Sequence, residues 1–525
     1  MTTLSTARAH RLANFLTYLL LGLLTLWLAA YAVLSLQWRM THDTPIVFYP
    51  AFLIDHFGFV PYRDLFTDTF PGTLAFHIAV GRLIDYSDGI RFRLVDLSWL
   101  ALIGLVTWGV MRRFGKQVAW ASVVLFSLLF LHEGPIFSFQ RDYLGVLPVA
   151  LATLVGVSQD RLKVGAIWKY LVVGFLFGLA ATIKPQLALG APLLLLYMVV
   201  EANEEAAWGR RLRTWIGAGL VAAIGLALPL ALVFLWLWRS GGLAGYREML
   251  TYHLPLYLSL TGEHKVITNR VLRWLYDLQE VGKLGGFGIW LAPAALGTYL
   301  ALEQAGLDRK RRLFVLLLVG QLLMYGLYVV LGAKFWPYHW LPFLYFTTLL
   351  ASLCLLPLPA ASGAAARLAP IIGLAVVCFL AFPPSNDFYG QLWGQTPRSP
   401  EGGRADAIAA YLSDHVQPGD TVQALDWTGG GNHALLMVKA KMATPFFEDY
   451  EFYHHISNPF IQELRRRFVS RLQEVKPRFI VEVLVKPRVS GPDTTTEFPA
   501  LREFMDEHYT VASTGDGYLI YEWRQ

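Results

Sequence analysis

Four short stretches place ionisable side chains at the ends of apolar runs. Asp43 follows the first run in "THDTP" (41–45). "HEGPIFSFQRDYLG" (132–145) carries Glu133, Arg141 and Asp142. "ATIKPQ" (181–186) carries Lys184, with Pro185 enforcing a turn. "GAKFWPYHWLP" (332–342) carries Lys334, Tyr338 and His339. Charged groups at membrane depth are expensive, which makes them functional candidates by default. A carboxylate such as Asp43 can act as general base toward a hydroxyl acceptor. Cations such as Lys184, Arg141, His339 and Lys334 can hold a phosphate leaving group through charge-assisted bonds. Phosphate departs as a stable anion and needs little help from an acid. One base and a cationic pocket therefore suffice for single-displacement sugar transfer with inversion. A few acids and several cations at a bilayer interface suit a ligand with a lipid tail and a phosphate head.

The elements that must position these groups are membrane helices. The chain has 525 residues, 55% hydrophobic and 16% charged, with a mean hydropathy of +0.44. A soluble globular protein carries roughly 25% charged residues. The net charge of +6 does not point to nucleic acid, because much of it lies in short loops between apolar runs, where it sets topology. The first run, 15–36, has membrane length. "AAYA" (29–32) resembles a signal cleavage site, but the run is long for a signal and further runs follow. These lie near 94–111, 117–132, 143–158, 168–183, 186–200, 214–237, 286–302, 313–332, 340–357 and 367–383. The reading is a polytopic α-helical membrane protein of about eleven spans, at roughly 20 residues per crossing.

With Arg8 and Arg11 cytoplasmic, the inside loops hold Arg112, Arg113 and Lys116; Arg161, Lys163 and Lys169; Arg210, Arg211 and Arg213; Arg309 to Arg312; and Arg367. This satisfies the positive-inside rule. The stretch 72–87 is read as an amphipathic helix on the outer surface, so residues 37 to about 90 form a long external segment built partly of interfacial helices. A second external loop, about 239–284, is rich in aromatics. Composition turns polar near 398, giving a transmembrane domain over 1–395 and a small extracytoplasmic α/β domain over 396–525. Helices are expected in "RADAIAAYLSDHV", "NPFIQELRRRFVSRLQEV" and "EFPALREFMDEHY". Strands are expected in "DTVQALDW" and "RFIVEVLV", and a strand hairpin in "TVASTGDGYLIYEW". Cys354 and Cys378 lie inside apolar runs and suggest no disulfide framework.

Taken together, Asp43 after the first span, "GFVPYRDLFTDTFPG" (58–72), "RDYLG" (141–145), "IKPQ" (183–186) and "KFWPYHWLP" (334–342) resemble the GT-C class of polytopic glycosyltransferases. The likeness is to lipid A aminoarabinose transferases and protein O-mannosyltransferases, and covers the membrane part. It implies Asp43 as catalytic base, Asp142 as the second acid of the site, and a polyprenyl-phosphate sugar as donor. The acceptor would be an extracytoplasmic glycan, lipid or protein, with Tyr62, Arg63, Asp64 and Tyr338 near the substrates. The enzyme would sit in the inner (plasma) membrane. Asp43 is followed by Thr44, not by the Glu often found there in the mannosyltransferases. No metal ligand set stands out, although a divalent cation is compatible with the chemistry.

Plainer readings stand beside these. Asp43 can be a solvated helix-end acid. Asp55, Asp64 and Asp68 can be caps, turn residues or partners for Arg63. Asp142 can be an ion pair with Arg141 or Lys184, and Lys184 and Lys334 can snorkel to headgroups. Glu448, Asp449 and Glu451 read as a solvated loop, and "WTGGGNH" (427–433) as a plain turn, since it fits neither a P-loop nor a Rossmann spacing. Two other functions compete. A flippase of lipid-linked saccharides would need charges deep within spans and internal repeats. A non-catalytic scaffold would leave the clustered charges unused.

Overall fold

The computed structural model describes residues 6–158, 166–205, 207–359, 362–485 and 489–524. Arg161 and Lys163 lie outside the described residues. The helices in chain order are α1 (Thr6–Leu34), α2 (Asp43–Phe57), α3 (Pro71–Ile84), α4 (Ile90–Met111), α5 (Lys116–His132), α6 (Arg141–Val157), α7 (Ala166–Ile183), α8 (Ala191–Ala202), α9 (Trp208–Ser240), α10 (Leu243–Glu248), α11 (Leu254–Ser259), α12 (Arg270–Lys283), α13 (Leu291–Tyr299), α14 (Arg309–Gly332), α15 (Leu341–Ser352), α16 (Ala364–Ala381), α17 (Asn386–Leu392), α18 (Arg404–His415), α19 (Gly431–Met437), α20 (Pro459–Val475) and α21 (Pro499–His508). Seven helices among the described residues are long and apolar enough to cross a membrane. An eighth joins them if the bent pair Arg270–Gly286 and Gly288–Gln304 is one span. The bend falls at Gly285 and Gly286, both at positive φ. The expected count of about eleven spans is not reproduced: among the described residues α5 and α7 are shorter apolar helices, below the length of a full crossing. The chain is an integral membrane protein.

It divides into two compact units. The first comprises Met1–Leu36, Asp96–Ala231 and Gln279–Gln395. Its centre is Pro337–Leu355, which includes α15 and is buried along its whole apolar window, whereas only 17% of the window in α1 is buried. Small polar groups tie the centre together. Ser122 of α5 meets Ser352 of α15 (Oγ–Oγ 2.7 Å), and Thr107 of α4 meets the Tyr345 hydroxyl of α15 at 3.1 Å. Between apolar surfaces in lipid, such bonds and close packing replace the hydrophobic drive. Helices α7 and α9 come together at small residues. A Cβ on Gly174 would lie 1.9 Å from the Ala222 carbonyl oxygen, and one on Gly178 would lie 2.5 Å from that of Leu226.

The second unit comprises Gln37–Val95, Leu232–Leu278 and Thr396–Gln525. Its sheet is built of β1 (Thr421–Leu425), β2 (Lys441–Met442), β3 (Phe479–Val483), β4 (Tyr509–Gly515) and β5 (Tyr518–Trp523). The order is β2-β1-β3-β5-β4, with β2, β1 and β3 parallel and β5 and β4 a returning hairpin. The expected helices and longer strands of the polar region are all present. β2, only two residues long, has no period to read, and α19 replaces part of what the sequence suggests is a plain turn.

Earlier chain segments share this unit's core. Phe66 packs with Phe446, Phe452, Ile461 and Phe468, and its N–H donates to the Pro445 carbonyl at 2.8 Å. α2 is buried at every residue from Thr44 to Leu53 and packs on α19. Its Tyr49 hydroxyl donates to the Ala440 carbonyl at 3.0 Å. Arg467 of α20 pairs with Glu248 of α10 at 2.8 Å. One expectation fails here. Asp449 and Glu451 are buried, at 3% and 1% exposure, and do not form a solvated loop. The loop folds back so that the Asp449 N–H donates to the Asp426 carbonyl at 3.0 Å, and Glu451 lies 3.7 Å from His253. Burial, with repulsion from Glu448 and Asp68, pushes the Glu451 carboxyl well above the usual range.

Candidate active site

In the first unit, three helix ends converge on Asp142. This residue lies in the first turn of α6 and is fully buried. Its carboxylate accepts from Lys184 Nζ at 3.0 and 2.8 Å and from the Tyr328 hydroxyl of α14. His339 Nε2 lies 4.0 Å from Asp142 Oδ2, and Lys184 Nζ sits 5.7 Å from the Tyr328 ring centroid.

Local sequence explains each placement. Lys184 precedes Pro185 and is extended (φ −148°, ψ 120°), as a residue before proline must be. This ends α7 and turns the lysine out of the helix. In "GAKFWP", Ala333 and Phe335 both adopt positive φ, so the chain reverses around Lys334 before Pro337 restarts a helical turn over Tyr338 and His339. Lys334, Tyr338 and His339 are all buried. The pairing of Asp142 with Lys184 is the plainer of the two readings offered by the sequence. A buried carboxylate held by an ammonium and a phenol is fixed in place and orients the lysine. An ammonium carries three donors, and Lys184 keeps part of its surface exposed.

Sequence reasoning missed Tyr328. A tyrosine inside an apolar run reads as interface belt, and Tyr328 is distinguished only by standing three residues from Tyr325. Both hydroxyls are used internally, that of Tyr325 on the Leu187 carbonyl at 2.9 Å.

In the second unit, Asp43 is the first residue of α2, where the helix dipole favours negative charge. His42 Nδ1 lies 2.7 Å from Asp43 Oδ1. Asp43 and Glu401 outweigh burial and raise the basicity of His42. Arg63 and Asp64 pair with each other at 2.7 Å, and Asp64 also accepts from the Val60 N–H at 2.9 Å. The buried Tyr62 hydroxyl donates to the Thr69 carbonyl at 2.5 Å. Asp55 pairs with Arg82 at 2.6 Å and accepts from Tyr86 at 3.1 Å. The glycine loop of "WTGGGNH" is occupied by its own chain. Asp426 accepts the N–H groups of Gly429, Gly431 and Asn432 at 2.8, 2.8 and 3.2 Å. The donors that a phosphate would need are therefore already engaged. Among the described residues no group of three or more His, Cys, Asp or Glu side chains is arranged to hold a metal ion.

The fold aligns over almost its whole length with a solved structure, ArnT from Cupriavidus metallidurans bound to undecaprenyl phosphate. The TM-score is 0.57 at 12% identity, covering 95% of this chain and 97% of that one. The chain has the ArnT fold. No family model matches it, and no curated protein matches it in sequence. The expected polytopic helical architecture with a small C-terminal sheet is therefore shared with a solved structure, at an identity where residue roles do not transfer by alignment.

Asp88 ties the loop region of the second unit together. It takes Arg39 at 2.7 Å and His433 at 3.0 Å. Burial opposes its charge, but His433 and Arg39 outweigh burial and hold the carboxyl below the usual range. A lowered carboxylate pKa contributes stability above the unfolded value, about 3.9, and loses it as pH falls through the folded value. Thermal melting in detergent should therefore drop below about pH 4. Asp88→Asn should melt lower than the parent at pH 6, with the difference closing in acid. A difference independent of pH would mean that the pair does not carry it.

Proposed function

We propose that this chain is an inner-membrane glycosyltransferase that moves a sugar from a polyprenyl-phosphate donor to an extracytoplasmic acceptor. The observation that carries this reading is the Asp142–Lys184–Tyr328 cluster with His339 beside it, in a chain of ArnT fold. A neutral scaffold has no use for an ion pair buried among membrane helices, since replacing such a pair by apolar residues costs little or nothing. A flippase reading has no comparable support. The buried pair stands at helix ends, where an interfacial headgroup would arrive.

In this reading Lys184, Arg141, His339 and Lys334 hold the donor phosphate, and Asp142 with Tyr328 orients Lys184. Departure of the phosphate is eased by those cations, which match the charge that grows on its oxygens. Asp43 takes the proton from the acceptor hydroxyl as that oxygen bonds to the sugar carbon. A single displacement of this kind inverts the anomeric centre. Tyr338 stands next to His339 and contributes an aromatic face for the sugar. Tyr62, Arg63 and Asp64 shape the loop near the substrates, Arg63 being the exposed member. The polar region after 395 lies on the extracytoplasmic side, with the N-terminus cytoplasmic, as the basic loops require.

The test is reconstitution in proteoliposomes. Synthetic undecaprenyl-phosphate monosaccharides serve as donors, a cell-envelope extract as acceptor source, and released undecaprenyl phosphate is the readout. Release from at least one donor, dependent on acceptor, is expected. Movement of donors between leaflets without cleavage would replace this reading by the flippase.

A further inference from the structure

We propose that Glu401, in the polar C-terminal region, is a positioning residue for Asp43, acting through His42. This inference rests on the assignment of Asp43 as the base. His42 has φ 55° and ψ −118°, a combination that side chains other than glycine strongly resist. Such a conformation persists only where the surroundings enforce it, and here the enforcing group is visible. Glu401 Oε1 accepts the His42 N–H at 2.9 Å and the Thr41 hydroxyl at 3.0 Å. The same backbone turn brings His42 Nδ1 to 2.7 Å from Asp43 Oδ1. One carboxylate thus fixes the peptide that delivers Asp43 to the start of α2.

Glu401 is itself presented with care. Glu401, Gly402 and Gly403 take three consecutive positive φ values, 49°, 67° and 89°, and form a sharp turn ahead of α18. The first turn of α18 adds a second tie to the same strand of chain. Asp406 accepts two bonds from Arg39 Nη1, at 2.8 and 3.0 Å. Residues 39, 41 and 42 are therefore gripped by residues 401 and 406, on either side of the glycine pair. The cavity beside His42, lined also by Glu401, Asn432 and His433, measures about 10 Å³, room for roughly one water, while part of the imidazole stays open to solvent. A loop that served only as a connection would not need two charged ties and a strained residue immediately before the base.

Three variants test this in the release assay, alongside Asp43→Asn. Glu401→Ala should lower kcat by about 30- to 100-fold with donor KM within about twofold, as expected for misplacement of a reacting group. Hydrogen exchange of residues 39–45 should rise in the same variant. Glu401→Gln keeps an oxygen that can accept both bonds and should stay within about threefold of the parent. His42→Gly relieves the backbone. Its melting temperature should match or exceed the parent's while kcat falls about tenfold or more, a split that a merely structural role would not produce. Parental kcat in both Glu401→Ala and His42→Gly, with Asp43→Asn inactive, overturns the positioning role and leaves the base assignment intact. Full activity of Asp43→Asn removes both. If Glu401→Ala does not fold, His42→Gly decides: parental kcat there overturns the proposal.

Discussion

Asp43→Asn should cut sugar transfer by about 100- to 10,000-fold, the usual contribution of a general base, and leave folding and donor binding as they are. Asparagine has nearly the same shape and remains an acceptable first residue for α2. What it loses is the ability to accept a proton and the ion pair with His42. That pair is partly open to solvent, with side-chain exposures of 40% and 18%, and such pairs are worth about 0–1 kcal/mol. The melting temperature should therefore stay close to the parent's, and the loss should fall on the rate. Single-turnover release of undecaprenyl phosphate separates the two, since binding is measured before chemistry. Asp55→Asn is the control on the same helix. Its carboxylate is committed to Arg82 and Tyr86, and transfer should persist. Rapid transfer by Asp43→Asn would end the role given to this residue.

The second large effect comes from cutting the buried pair in the first unit. Lys184→Met leaves the fully buried Asp142 carboxylate without its ammonium, and breaking a buried pair on one side costs about 3–5 kcal/mol. A single-partner loss should therefore appear first as a fall in melting temperature in detergent. The double variant Lys184→Met with Asp142→Leu removes both charges and should recover most of that stability, because apolar replacement of a whole buried pair is close to neutral. It should not recover binding of undecaprenyl phosphate, which loses its charge-assisted donor. Stability and binding thus move apart in the double variant. If it binds undecaprenyl phosphate and turns over donor like the parent, the pair is a packing device and the phosphate site lies elsewhere.

The apolar runs at 15–36, 94–111 and 214–237 are legible in the sequence because an uncharged stretch of that length fits a bilayer and little else. The turn at Lys184 is legible too, since the proline after it holds the lysine extended and ends the helix. Its partner is one of two alternatives in the sequence, and coordinates are needed to choose, because Arg141 is adjacent to Asp142 along the chain while Lys184 is adjacent in space. Tyr328 is not legible, because a phenol in an apolar run has the same local signature whether it meets lipid headgroups or a carboxylate. Burial of Asp449 and Glu451 escapes the sequence for a related reason. The residues that enclose them, among them His253, come from another part of the chain, and hydropathy reflects only neighbours in sequence. The helix in 72–87 is recognisable because the stretch is short for a span and carries His77, Arg82 and Asp85. The unbroken burial of α2 is not, since aromatic side chains suit a lipid interface and a protein core equally well.

The bond from His42 to Glu401 spans 359 residues of chain, and the one from Arg39 to Asp406 spans 367. During biosynthesis the segment bearing Asp43 emerges with the first helix, yet its closing partners are among the last to be made. Contacts of such long sequence separation form late. Until translation nears completion, the early loop lacks these two ties and is held by nearer contacts such as Arg39 with Asp88. On the proposed reading, a polypeptide cut short by a nonsense codon or by proteolysis would lack the groups that hold the Asp43 turn and would not consume a lipid-linked donor.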